Sequence, residues 1–126
     1  MIPTIKYIET EPFQKDLKRL LKKFRSLTSD LEVIKRDAIE LFHLKKINSQ
    51  SIFIIPGFCT EEIQICKIKK FACKTLKGKG SRSGIRVIYS FFTKTLKVEF
   101  LEIYYKGNQA LEDKERIRSY LISNNI

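Results

Sequence analysis

The stretch from Ile85 to Tyr105 narrows the folds open to this chain more than any other. Ile85, Val87, Tyr89 and Phe91 alternate with Arg86, Ile88, Ser90 and Phe92, the period of two that gives a strand two distinct faces. Thr93-Lys94-Thr95 makes a tight turn, after which Leu96, Val98 and Phe100 alternate against Lys97 and Glu99. Leu101, Ile103 and Tyr105 then make both faces apolar, as a central strand requires. Two strands this apolar cannot stand alone in water, so the remaining sequence must cover them.

The cover is legible upstream. Phe13, Leu17, Leu20, Leu21 and Phe24 form one apolar stripe of helical period, opposite Lys15, Lys18, Arg19, Lys22 and Lys23. Those bases read as a solvated face that can also extend a polyanion-binding surface. Ser29-Asp30-Leu31-Glu32 has the spacing of a capping box, and Leu31, Ile34, Ala38, Leu41 and Phe42 continue a second stripe. The short link Arg25-Ser26-Leu27-Thr28 makes the two helices an antiparallel hairpin. His43 closes the second helix, where a cation suits the dipole; it is the sole histidine and has no catalytic partner nearby in sequence.

Residues 44–62 read as a loop with a short extended stretch, Ser51-Ile52-Phe53-Ile54-Ile55, ended by Pro56-Gly57. Ile63 to Cys73 is strand-like, with a break in alternation near Ile68 that suggests a bulge. A last helix begins near Leu111 and turns Ile117, Tyr120 and Leu121 inward. The expected fold is α+β: an N-terminal α-helical hairpin packed on a small antiparallel β-sheet, closed by a C-terminal helix. The sheet is a three-strand meander plus a possible N-terminal strand, Ile5 to Ile8. Without a repeat or linker, residues 1–126 are expected to form one domain. A half-covered antiparallel sheet leaves one face open, and Arg86 and the segment Lys67–Lys74 lie where they could line it.

Charge marks the same region. Residues 63–106 hold 11 Lys and Arg against 2 acids, so +9 of the formal +11 falls in about a third of the chain. Eight of these bases lie between Lys67 and Arg86 with no acid among them, around Lys77-Gly78-Lys79-Gly80-Ser81-Arg82-Ser83-Gly84. Such a segment repels itself unless a polyanion neutralises it. The glycines do not make a nucleotide loop: a P-loop needs GxxxxGK[ST] running from strand to helix, whereas here a strand follows. A basic hairpin loop reaching phosphates fits better, against the plain alternative of a solvated tip.

Other classes are set aside. No run approaches the roughly 20 apolar residues of a membrane span, and no secretory leader is evident, so a cytoplasmic protein is expected. Cys59, Cys66 and Cys73 are read as reduced thiols, Cys73 as a small core residue. With no close cysteine pairs and one histidine, no metal site and no small-molecule cofactor are expected. No Ser/His/Asp order is present either. Arginine and lysine with a few tyrosines and carboxylates suit RNA cleavage in which the substrate's own 2′-hydroxyl attacks phosphorus. Arg86 and Lys106 could then neutralise charge on the phosphorane. Tyr104, Tyr105, Phe91 or Phe92 could stack on a splayed base, although the phenylalanines read first as core and the tyrosines are open either way.

Several segments resemble the RelE/HigB-type toxins of bacterial and archaeal toxin–antitoxin systems. They are Lys69-Lys70-Phe71-Ala72-Cys73-Lys74, Lys77 to Ser81, Gly84-Ile85-Arg86-Val87-Ile88-Tyr89 and Glu102-Ile103-Tyr104-Tyr105-Lys106-Gly107. Glu112 to Ile117 is similar to that family's closing helix. The resemblance implies a basic concave sheet that enters the ribosomal A site and cuts mRNA without metal, silenced by a cognate antitoxin. It implies Arg86, Lys106 and Tyr105 as catalytic residues, and Lys67, Lys69, Lys74, Lys77, Lys79 and Arg82 as RNA contacts. The general base departs from the family pattern: Glu112, Asp113, Glu115 and Tyr120 stand where some members offer tyrosine or histidine. Two rival readings remain. One is a ParE-like toxin that inhibits DNA gyrase without nuclease activity, the other a non-catalytic RNA-binding module.

Overall fold

The computed structural model describes residues 3–48, 50–80 and 82–126. The meander is present as β3 (Ile63–Ile68), β4 (Ile85–Phe92) and β5 (Lys97–Tyr105). Two further strands widen it to five, in the order β1-β5-β4-β3-β2. The N-terminal strand β1 (Lys6–Glu9) runs parallel to β5, while β2 (Ile52–Ile54), from the short extended stretch expected within residues 44–62, pairs antiparallel with β3. That stretch reads as extended but not as a strand of the sheet, because its three residues are too few for alternation to register.

β1 passes directly into α1 (Glu11–Leu21), with Pro12 in its first turn, where a missing N–H costs nothing. Its stripe is buried as expected: Phe13, Leu17, Leu20 and then Phe24 all face the sheet. The second helix, α2, spans Leu27–Ile34 and starts two residues before the expected capping box. Ser29 Oγ donates to the Ser26 carbonyl at 2.9 Å rather than accepting from a helix-end N–H, and Ser26 Oγ donates to Asp30 at 2.6 Å. A π-helical turn over Lys35–Ile39 joins α2 to α3 (Glu40–Lys45). That turn slips the helix phase, so Ala38 and its neighbour Ile39 are both buried.

Alternation on β4 divides its side chains as read from the sequence. Val87, Tyr89 and Phe91 join the helical hairpin in one core with Phe13, Phe100 and Ile103. Ile88 joins Ile63, Ile65, Leu101 and Ile117 in a second core on the other face, beneath α4 (Lys114–Ser123). The bulge expected near Ile68 is absent. It lies instead on β5, where Ile88 opposes Glu102 but Tyr89 opposes Phe100. Leu101 is the extra residue, so Leu101 and Glu102 share a face and the alternation reverses beyond them. Phe100 and Tyr105 therefore both reach the hairpin-side core, whereas Tyr104 turns to the other face.

β1 accompanies β5 only as far as Phe100. Beyond it the β5 edge is closed by side chains. Asp16 of α1 accepts from the Ile103 N–H at 3.3 Å, and Arg116 of α4 donates to the Leu101 carbonyl at 3.0 Å. The two side chains meet each other at 2.5 Å, a clasp that ties the helices of opposite faces around the sheet edge. Among the described residues, no helix is long and apolar enough to cross a membrane.

Candidate nucleic-acid interface

α4 covers only one end of its face of the sheet. Past it, β2, β3, β4 and the end of β5 border a cleft of about 430 Å³ lined by Phe53, Lys69, Lys70, Arg82, Gly84, Arg86 and Lys106. Five of these seven are cations, and none is acidic. Lys69 and Lys70 are exposed just past the end of β3, Lys106 is exposed just past β5, and Arg86 is half-buried near the start of β4. The pairing register explains the convergence. Arg86 lies opposite Tyr104, and Phe53 lies opposite Lys67, all on the face away from the helical hairpin.

Arg86 is tethered as well as placed. Its Nη1 donates to the Lys69 carbonyl at 2.7 Å, which leaves the rest of the guanidinium fork to meet an anion. The 69–84 loop that carries the bases is rooted in the core. Phe71 and Cys73 are buried, and Phe71 bridges to Arg82. Ser83 donates to the Phe71 carbonyl and accepts from the Ile85 N–H at 3.1 Å. The Lys74 N–H donates to the Asp30 carboxylate at 3.2 Å, and the Thr75 N–H donates to Ser26 Oγ at 2.8 Å. Asp30 and Ser26 of the expected capping region thus anchor the basic loop.

The bases expected to contact RNA fall into three groups. Lys69 and Arg82 join Arg86 and Lys106 in the cleft. Lys74 and Lys77 border a separate shallow depression with Gly78 and Gly80, and Lys79 is exposed on the same loop. Lys67 is the exception. Its ammonium is buried and paired with Glu112 at 2.7 Å, so it is not presented to a polyanion. Burial works against that charge, but the Glu112 hydrogen bond and nearby Tyr104 outweigh it and raise the Lys67 pKa. Burial likewise works against the Glu112 carboxylate, and Lys67 outweighs it, holding the carboxyl below its ordinary range. Glu102 fixes this pair by accepting from the Asp113 N–H at 2.9 Å and Gln109 Nε2 at 2.8 Å. The cation beneath the cleft is therefore structural in its bonding.

Tyr105, expected to be catalytic, faces away from the cleft. Its ring packs 5.0 Å from Phe24, with Lys23 Nζ 4.8 Å above it. Gly84 and Gly107 flank that ring so closely that an added Cβ would come within 3.2 Å and 2.4 Å of it. The bulge at Leu101 causes the exchange, since it puts Tyr104 on the cleft side of β5 instead. Tyr104 is 4% exposed, and its hydroxyl is buried with no hydrogen-bond partner among the described residues. Burial raises the Tyr104 pKa and the Lys67 ammonium opposes the rise, so the phenol keeps its proton near neutrality.

The other groups considered for proton transfer are engaged. Asp113 caps α4 by accepting from the Arg116 N–H at 3.1 Å, and Glu115 pairs with Arg118. Tyr120 is bonded to Ser90 and Glu99 on the apolar end of the face, and burial raises its pKa. His43 is not a helix-end cation either. It is 5% exposed, stacked 3.8 Å from Phe91, with Nε2 at 2.8 Å from the Tyr89 hydroxyl. Burial and then Lys46 lower its pKa to about 4, so the ring is neutral. Lys70, one of the eight clustered bases, and Phe53 complete the cleft, although neither is among the expected site residues. The run Ile52-Phe53-Ile54-Ile55 between Ser51 and Pro56 is the signal in the sequence for Phe53.

A mixed five-strand sheet with a helical hairpin on one face and a basic cleft on the other is an α+β arrangement of the RelE kind. The crystal structure of the archaeal RelE–RelB complex from Pyrococcus horikoshii OT3 is similar to it, with a TM-score of 0.51. The match covers 83% of this chain and 98% of that one at 16% sequence identity, which establishes a RelE-like fold. No family model matches the sequence, and no curated protein is similar to it at the sequence level.

Proposed function

We propose that this chain is the toxin of a toxin–antitoxin pair, an endoribonuclease that cuts mRNA in the ribosomal A site. The observation that carries the reading is the five-cation cleft with Arg86 tethered at its edge, on a RelE-like sheet. In the reaction, the substrate's 2′-oxygen attacks the adjacent phosphorus and the 5′-oxygen leaves. The products are a 2′,3′-cyclic phosphate and a 5′-hydroxyl end. Arg86 meets the charge growing on the non-bridging oxygens, as a donor fixed before the reaction begins. Lys106, exposed at the cleft rim, carries donors able to protonate the departing 5′-oxygen. Among the described residues that line the cleft no side chain accepts the 2′-hydroxyl proton, so water or a ribosomal group takes it. That division of labour is a physical reason for dependence on the ribosome. An acidic antitoxin segment laid over the same cations would silence the protein.

Inducible expression in a bacterial host tests this. Growth arrest with new 5′ ends mapping inside codons of translated messages is expected, and Arg86→Ala should abolish both while the circular-dichroism melt is retained. Arrest that persists in Arg86→Ala, or that comes with DNA breaks in place of mRNA ends, would overturn it. The lack of a cleft base favours one second reading, an RNA-binding protein that blocks the A site without cutting. It predicts arrest and salt-sensitive RNA binding with no new 5′ ends.

A further inference from the structure

A nucleotide bound at the cleft presents a base as well as a phosphate, and the fold withdraws each aromatic that β4 and β5 could offer it. Phe91 is 4% exposed and stacked under His43, while Phe92 lies beneath Lys97 Nζ at 4.2 Å. Tyr104 is buried and Tyr105 packs on Phe24. The aromatic left open on the cleft is Phe53, 43% exposed on β2. It lies opposite Lys67 on the face that carries Arg86, and Lys69 Nζ sits 4.6 Å from its ring centroid.

We propose that Phe53 is the stacking platform for the nucleobase whose backbone phosphate Arg86 and Lys106 hold, a base-binding residue of the RNA site. This rests on the RNA reading above. In the free protein the Phe53 ring and the Lys69 ammonium occupy each other. An exposed cation–π contact is weaker than a charge-assisted hydrogen bond to phosphate, so an incoming phosphate draws Lys69 away and bares the ring. One displacement then readies both subsites, the cation for the backbone and the ring for the base. A π-face reads ring area rather than base edges, so selection by Phe53 is broad.

The chain has no tryptophan, so Phe53→Trp installs a single indole reporter. The purified variant is titrated with hexa-adenylate and with an abasic hexanucleotide of equal charge, binding being followed independently by anisotropy of an end label. Quenching of the indole by hexa-adenylate, and not by the abasic strand at matched occupancy, is expected. Phe53→Leu should weaken hexa-adenylate binding by about tenfold and leave abasic binding unchanged, with an unaltered melt because the ring is exposed. An unquenched indole with RNA bound, equal quenching by the abasic strand, or an indifferent Phe53→Leu overturns the assignment while the RNA reading stands. An indole that responds to poly-glutamate but not to RNA also overturns it and assigns the patch to a protein partner. Failure of both strands to bind at low salt removes the RNA reading, and the Phe53 subsite with it.

Discussion

The two faces of the sheet share strands but are built on opposite terms. On the hairpin side, β4 and β5 give Val87, Tyr89, Phe91, Val98, Phe100 and Ile103 to one continuous core, in which the buried His43 and Tyr89 are paired with each other. On the other side the same strands give Ile88, Leu101 and Tyr104 to a smaller core, bury Glu102 against the Asp113 N–H at the start of α4, and leave Arg86 to an open basic cleft. Stability is thus concentrated on one face, which frees the other to hold like charges close together. The difference teaches that a basic cleft of this density needs an apolar layer directly behind it, since mutual repulsion of the bases works against folding.

The hardest way to break this division is through its apolar half. Phe100 stacks on Phe13 at 5.1 Å and lies near Tyr7 and Tyr89, so Phe100→Ala should cost about 3–5 kcal/mol in urea unfolding. Arg86→Ala should cost less than about 1 kcal/mol in the same assay, because its loss leaves no buried charge behind. The buried ion pair tests whether the cleft side also has a structural member. Lys67→Met strands the Glu112 carboxylate and should cost about 3 kcal/mol, most of it recovered in the double variant Lys67→Met/Glu112→Leu.

Acid should weaken the hairpin side first. His43 has its pKa lowered to about 4 in the folded chain, against about 6.5 when unfolded. Below 6.5 the unfolded state takes up the proton that the folded state refuses, so stability is full above that pH and falls until about pH 4. The loss should reach about 3 kcal/mol, and His43→Gln should flatten the slope of urea stability between pH 7 and 5. A more modest effect concerns the seam between the faces. Gly84 has φ +82° and faces the Tyr105 ring, so Gly84→Ala should cost about 1–2 kcal/mol.

Much of the architecture is legible in the sequence, for a simple reason. β4 and the α1 stripe announce themselves because each repeats its period several times over a buried face. The α2 start is missed by two residues because Ser29 and Glu32 have the right spacing but Ser26 makes the decisive bond, to Asp30. The cluster Lys69, Arg82, Arg86 and Lys106 is foreseeable from charge density alone. Lys67 is not distinguishable from them in sequence, since its partner Glu112 lies 45 residues away and the pair forms only when the 106–113 segment folds back. Phe53 is hidden for the same kind of reason: a three-residue edge strand is defined by its neighbour rather than by its own pattern.

The extra residue at Leu101 carries a consequence for how such chains change over time. Everything after it on β5 is one step out of phase with everything before it. Because Leu101 and Glu102 share a face, a single-codon deletion at Leu101 would remove the bulge and still leave Tyr104 on the cleft side and Tyr105 against Phe24. Counting alternation along the letters from Phe100 without that extra residue in view would instead assign the wrong tyrosine to the cleft.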